Sequence, residues 1–202
     1  MISIYKIKPQ FQRVLTPVLE LMHRKHITAN QITVSACILS IIIGVMFWFA
    51  DYNKWFYLAL PVGLLLRMAL NALDGMMARR YNQISRKGEV LNELGDVISD
   101  TIIYLPLIKH QPESLYMIVV FIAMSIINEY AGIMGKVIST NRNYDGPMGK
   151  SDRAFILGLY GFVCLCGVDI SSYSLYLFIV IVLLLLISTW IRIKKALYEK
   201  CA

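Results

Sequence analysis

Charge is scarce in this chain. Only 16% of its 202 residues are Asp, Glu, Lys or Arg, against 57% apolar residues, a balance that excludes an ordinary soluble globule. Sulfur and imidazole metal chemistry has no foothold either. The four cysteines, Cys37, Cys164, Cys166 and Cys201, show no metal-ligand spacing, and His23, His26 and His110 are unclustered. Three of the cysteines fall in apolar runs and read as packing residues in a reducing setting. A cleavable leader is not visible, because the first 29 residues are charged and contain two prolines. No inverted repeat stands out, which counts against a transporter or channel. Long clean apolar runs are few: only those near 112–135 and 172–191 come close.

What is present is a hydrophobic chain with a mean hydropathy of +0.60 and a formal charge of +7. A spanning helix needs about 20 mostly apolar residues, and six segments meet that length: roughly 31–50, 55–80, 90–110, 114–137, 150–168 and 172–195. The expected fold is therefore all-α integral membrane, six transmembrane helices preceded by an interfacial amphipathic helix. The expected division is 1–29 for the N-terminal segment, 30–196 for the membrane domain and 197–202 for a tail. In residues 10–25, Phe11, Val14, Leu15, Val18, Leu19 and Met22 recur at helical spacing, as a helix lying in the headgroup region requires. Thr28 or Asn30 is placed to cap the first span. Of the 20 Lys and Arg, 17 fall before the first span, in the 2/3 and 4/5 connections or near the C-terminus. By the positive-inside bias, both termini and those two connections are cytoplasmic.

The polar residues concentrate where they are most expensive. Asn71 to Asp100 takes in the end of the second expected span, the 2/3 connection and the start of the third, and carries Asp74, Glu89, Glu93, Asp96 and Asp100 with Asn71, Asn92, Arg79, Arg80, Arg86 and Lys87. Acids at bilayer depth are a functional hypothesis by default. Asn71 and Asp74 are three apart and Asn92 and Asp96 four apart, so each pair shares a helix face. Two such helices offer oxygen ligands to a hard cation, Mg²⁺ or Mn²⁺. Arg67, one turn before Asn71, pairs either with an acid of this cluster or with a ligand phosphate. Gly75 and Ala78 either permit close helix packing or let a flat nucleotide lie against the backbone. Glu129 either orients a basic side chain or bonds to a neighbouring helix. Lys150 and Arg153, three apart at the start of the fifth span, have the charge to hold a phosphate.

Read together, Asn71, Asp74, Gly75, Ala78, Arg79, eight further residues, then Gly88, Asn92 and Asp96 resemble the signature of the CDP-alcohol phosphatidyltransferase family. That signature is Asp-x-x-Asp-Gly-x-x-Ala-Arg, eight residues, then Gly-x-x-x-Asp-x-x-x-Asp. The stretches TANQIT and GPMGKSDRA are also similar to the family. The resemblance implies a six-span bundle, usually a homodimer, in a bacterial inner membrane with a cytoplasmic active site. It implies phosphatidyl transfer from CDP-diacylglycerol to a small polar, phosphorylated alcohol with release of CMP, and no nucleic-acid partner. A runner-up within the family is CDP-aminoalcohol transfer to diacylglycerol, and a rival outside enzymes is a silent nucleotide- or lipid-binding protein. By the resemblance Asn71, Asp74, Asn92 and Asp96 would ligate metal, and Gly75, Ala78, Arg79 and Gly88 would bind nucleotide. Asp96 would act as base, and Lys150 and Arg153 would take the acceptor phosphate. The chain departs from the pattern at the first and third motif acids, which are Asn71 and Asn92. The site either binds a single metal or recruits Asp100, one turn past the motif, or Glu93 from the same stripe to replace a lost charge; Asp100 is also placed to serve as base.

Overall fold

The computed structural model describes residues 8–139 and 142–198; Lys6, Thr140, Asn141, Lys200 and Cys201 fall outside them. No strand occurs among the described residues. The helices are α1 (Lys8–Arg24), α2 (Ala29–Trp48), α3 (Leu64–Arg80), α4 (Arg86–Tyr104), α5 (Leu107–His110), α6 (Leu115–Ser139), α7 (Lys150–Leu165) and α8 (Ser171–Tyr198). They form two compact units: one contains α1 to α4 and the body of α7 from residue 154, the other α5, α6, the first turn of α7, and α8.

In the first unit, local chemistry sets each helix boundary. Thr28 accepts from the Gln31 amide while the Gln31 side chain accepts from the Thr28 amide, a reciprocal box that starts α2. After α2, Asn53 accepts from the Trp55 amide and opens a 3₁₀ turn, Lys54–Leu58. One π turn follows at Ala59–Gly63; Pro61 brings no N–H to it, so a local change of helical pitch is expected there. The chain then continues as α3. At the far end of α3, Asn82 adopts a left-handed φ of 54° and the Gln83 amide donates to the Ala78 carbonyl, closing the helix. The Gln83 side chain then accepts from the Ala29 amide, tying the end of α3 to the start of α2. Ser85 caps α4 through the Gly88 amide, and Pro106 separates α4 from α5.

Helix α2 packs closely on both α3 and α4, whereas α3 and α4 do not pack closely on each other. The α2–α4 seam is parallel and repeats every seven residues: Asn30 lies against Gly88, Cys37 against Gly95, and Gly44 against Ile102. At each step one partner is glycine, because a Cβ there would meet the opposite helix within 3 Å. A side of α1 also packs in this unit, with Leu19 buried beside Ile32, Leu73 and Met77 and flanked by Leu15 and Met22. Val14, Val18 and Leu21 remain exposed.

In the second unit, α6 and α8 run parallel. Ser114 and Ser174 share a 2.6 Å hydrogen bond, the Phe121 and Phe178 rings lie 5.7 Å apart, and Thr189 donates to Asn128 (3.3 Å). Asp169 accepts from both the hydroxyl and the amide of Ser171 at the start of α8, and those bonds hold its carboxyl below the usual Asp range. Among the described residues, four helical runs are long and apolar enough to cross a bilayer: Ala29–Trp48, Lys54–Arg80, Pro112–Ile138 and Ser171–Tyr198. The third and fifth expected spans are not among them. Helix α4 carries too many charges, and α7, at 16 residues, spans only about 24 Å of a core about 30 Å thick.

The seam makes a stability prediction. Gly44→Ala pushes a methyl to 2.7 Å from the Ile102 side chain and 2.8 Å from its carbonyl oxygen, and is expected to cost about 1–3 kcal/mol. At Gly158 the nearest atom would be Pro61 Cα at 3.4 Å, so Gly158→Ala is expected to leave the thermal midpoint of the detergent-solubilised protein within about a degree or two. Equal midpoints for the two variants would remove the seam as a constraint.

Candidate functional site

The gap between α3 and α4 is bridged by polar side chains. Arg67 on α3 donates through Nη1 to Asp100 Oδ1 on α4 (2.6 Å), and its Nη2 reaches the Asp96 backbone oxygen (3.5 Å) and Oδ1 (3.8 Å). One turn along, Asn71 Nδ2 donates to Asp96 Oδ1 (3.4 Å). These contacts step four residues forward on α3 and four back on α4, so the helices are antiparallel. The same register sets Asn92 opposite Gly75 and Glu89 opposite Ala78. Asp74, on the Asn71 face of α3, accepts from the Thr33 hydroxyl of α2 (2.9 Å).

Exposure rises along this gap. Arg67 and Asp100 are buried at 4% and 5%, and the Asp96 side chain is 17% exposed. Asn71 and Asn92 are half-buried, and Arg79 and Glu89 are exposed. The gap is thus shut at the Arg67–Asp100 end and open at the end that holds the α3–α4 connection with Arg79, Arg80, Arg86 and Lys87.

Each residue expected at the site has a definite place in the structure. Gly75 has no side chain, and the guanidinium of Arg79, one turn further, lies 3.3–3.4 Å from where its Cβ would be. Gly88 faces the side chain of Asn30. Ala78 packs against the apolar cluster around Leu19 and Met77. Arg67 pairs with acids of the cluster, and Asp100 is its closest counter-ion. Thr33 was not expected here: its only sequence sign was its place in TANQIT, the same stretch that supplies the Thr28 cap and Asn30.

The second unit holds a separate polar cluster. Glu129 on α6 is buried and receives Arg153 at Oε1 (2.8 Å) and Arg142 at Oε2 (2.8 Å), with Arg192 of α8 3.8 Å away. Arg192 also donates to the Asn128 carbonyl (2.6 Å) and the Asp145 carbonyl (3.1 Å). Asn143 donates to the Arg192 carbonyl, Asn128 donates to that of Met148, and Ser188 accepts from the Met148 amide. The chain before α7 is thereby clamped between α6 and α8. Gly146, at φ 122°, fits because its missing Cβ would lie 2.6 Å from Ser188. Lys150 and Arg153 share the first turn of α7. Nothing in the sequence spacing of Arg142 and Arg192 ties them to Glu129.

The donor set between α3 and α4 suits a hard divalent cation, being all oxygen. It is lean in charge. Among the described residues no three His, Cys, Asp or Glu side chains gather into a metal-binding group, because two motif positions are amides and Asp100 is engaged by Arg67. Two carboxylates and two amide oxygens remain.

Three comparisons bear on this arrangement. Residues 26–197 match the family model described as CDP-alcohol phosphatidyltransferase. The chain is 43% identical over 159 residues, 79% of each protein, to the inner membrane protein YnbA of Escherichia coli (strain K12). Its fold is similar to that of Mycobacterium tuberculosis phosphatidylinositol phosphate synthase, solved with CDP-DAG bound. That match has a TM-score of 0.73 at 19% identity and covers 92% of this chain and 94% of the other. The same synthase in complex with manganese and citrate gives a TM-score of 0.72 at 19% identity, covering 91% and 88%.

The Glu129 cluster gives a prediction of its own. Glu129→Gln leaves three arginines around a neutral group and is expected to destabilise the protein by about 3–5 kcal/mol. Lys195→Met, which breaks the exposed pair with Asp145, is expected to cost less than about 1 kcal/mol. Chemical denaturation in mixed micelles measures both, and similar losses would show that Glu129 holds nothing together.

Proposed function

The chain belongs to the CDP-alcohol phosphatidyltransferase family, and we propose that it moves a phosphatidyl group from CDP-diacylglycerol to the hydroxyl of a small polar, phosphorylated alcohol. The observation that carries this reading is the Asn71–Asp96 contact across the α3–α4 gap, with Asp74 one turn further along α3. Asn71, Asp74, Asn92 and Asp96 would hold the cation. When bound, Mg²⁺ or Mn²⁺ supplies positive charge against the donor diphosphate and the departing CMP.

The chain's own residues do the rest. The phosphorus–oxygen bond between the phosphatidyl phosphorus and the bridging oxygen breaks, a new one forms to the acceptor oxygen, and CMP leaves. Asp96 takes the acceptor's proton. Asn71, donating to Asp96 Oδ1, fixes that carboxylate in place. Arg79, whose guanidinium lies over Gly75, pairs with the diphosphate, and the cytidine is assigned to Gly75, Ala78 and Gly88, where small residues keep the chain thin. Asp100 holds Arg67. The acceptor phosphate goes to Lys150 and Arg153, at a cluster where three arginines face one glutamate. Six spans are assigned, with α4 and α7 also crossing the bilayer, their exposed apolar residues (Val90, Leu94, Phe155 and Phe162 among them) toward lipid. The exposed Val14, Val18 and Leu21 of α1 lie in the headgroup region. Both termini and the open end of the gap are cytoplasmic, the protein is a homodimer, and the membrane is the inner one, as in the name of its Escherichia coli relative.

The Asn71 and Asn92 substitutions favour a second reading, a family member that binds the donor without turning it over. Labelled CDP-diacylglycerol, a panel of polyol phosphates and purified protein separate the two. CMP is expected to form with Mg²⁺ or Mn²⁺, to stop with chelator, and to fall about 10²–10⁴-fold in Asp96→Asn. Donor binding without CMP under every acceptor would establish the silent reading, and undiminished activity in Asp96→Asn would remove it as base.

A further inference from the structure

Of the four positions the motif reserves for acids only two, Asp74 and Asp96, are carboxylates here, and Arg67 stands beside them. Its guanidinium is buried, 2.6 Å from Asp100 and 3.8 Å from Asp96, and its Nε–H makes no hydrogen bond. Asp100 and Arg67 cancel, so of the carboxylates at and just past the motif only Asp74 and Asp96 leave net charge in the gap, while Glu89 lies at its exposed end beside Arg86 and Lys87. One divalent cation neutralises these two carboxylates. A second would find amides at 71 and 92, which donate oxygen but no charge, and a fixed guanidinium against Asp96, which repels it.

We propose that this site holds one divalent cation rather than two, and that Arg67 supplies a built-in positive charge at the deep end of the gap where a second cation would otherwise be drawn. This rests on the metal-dependent reading above. Arg67 is then a positioning residue: it keeps Asp100 out of the ligand set and fixes Asp96 on the side facing Asn71.

The test counts Mn²⁺ bound per chain by equilibrium dialysis with electron paramagnetic resonance, on purified protein in micelles. Wild type is expected to bind one, with or without CDP-diacylglycerol, and the N71D/N92D variant two. Arg67→Gln frees the Asp100 carboxylate and is expected to tighten Mn²⁺ by about tenfold over wild type, whereas the neutral swap R67Q/D100N stays near wild type. Two ions per wild-type chain would overturn the inference and leave the metal-dependent reading standing. No ion, even with CDP-diacylglycerol present, would overturn both. If Arg67→Gln binds no more tightly than R67Q/D100N, Arg67 is not what keeps Asp100 from the metal. Should Arg67→Gln fail to fold, the wild-type and N71D/N92D counts still decide the stoichiometry.

Discussion

Asp74, Asp96 and Asp100 stand on helices whose other faces are apolar, and each is reached by a donor from a different helix: Thr33, Asn71 and Arg67. A carboxylate taken out of water needs such partners, because burying it without them costs several kcal/mol. This requirement explains why α3 and α4 do not close on one another. Helix α2 holds both, through a seam of glycines on one side and the Ile32–Leu73–Met77 cluster on the other. The space between the two helices it holds is left to polar side chains.

The asymmetry of that space gives it a direction. At one end a buried ion pair shuts it; at the other, Arg79 and the basic connection open it. An anionic group matches the open, basic end, and the ion pair at the closed end bars it from going deeper. The second unit follows the same physical rule with the sign reversed. Three arginines gather on one buried glutamate, and the polar chain around Asn128, Asn143 and Ser188 satisfies the loop backbone that would otherwise be stranded.

Much of this was legible in the residue order. The three- and four-residue spacing of Asn71, Asp74, Asn92, Asp96 and Asp100 put them on helix faces, and the structure places those faces toward one another where contacts are seen. The alternatives for Arg67 narrowed to acids because its guanidinium lies 2.6 Å from Asp100. Other features were hidden for identifiable reasons. The seven-residue seam of α2 and α4 puts Gly88 and Gly95 on one helix and Gly44 on the other, so the repeat is complete only when the two helices are set side by side. Thr33 sits in an apolar run where a threonine reads as filler. Arg142 and Arg192 lie 50 residues apart in sequence and meet only because the loop before α7 folds back between α6 and α8. The boundaries expected for the third and fifth spans blurred because charge and Pro106 break α4 from α5, and α7 is short.

In the proposed site, Asp74 and Asp96 grip one cation that in turn grips the donor's diphosphate. Electron–nuclear double resonance on Mn²⁺-loaded protein reads this directly. The account predicts that adding CDP-diacylglycerol brings a ³¹P coupling onto the bound Mn²⁺, and that Asp74→Asn or Asp96→Asn abolishes it. A Mn²⁺ signal that shows no ³¹P coupling with donor bound, or one that survives both substitutions, would contradict it.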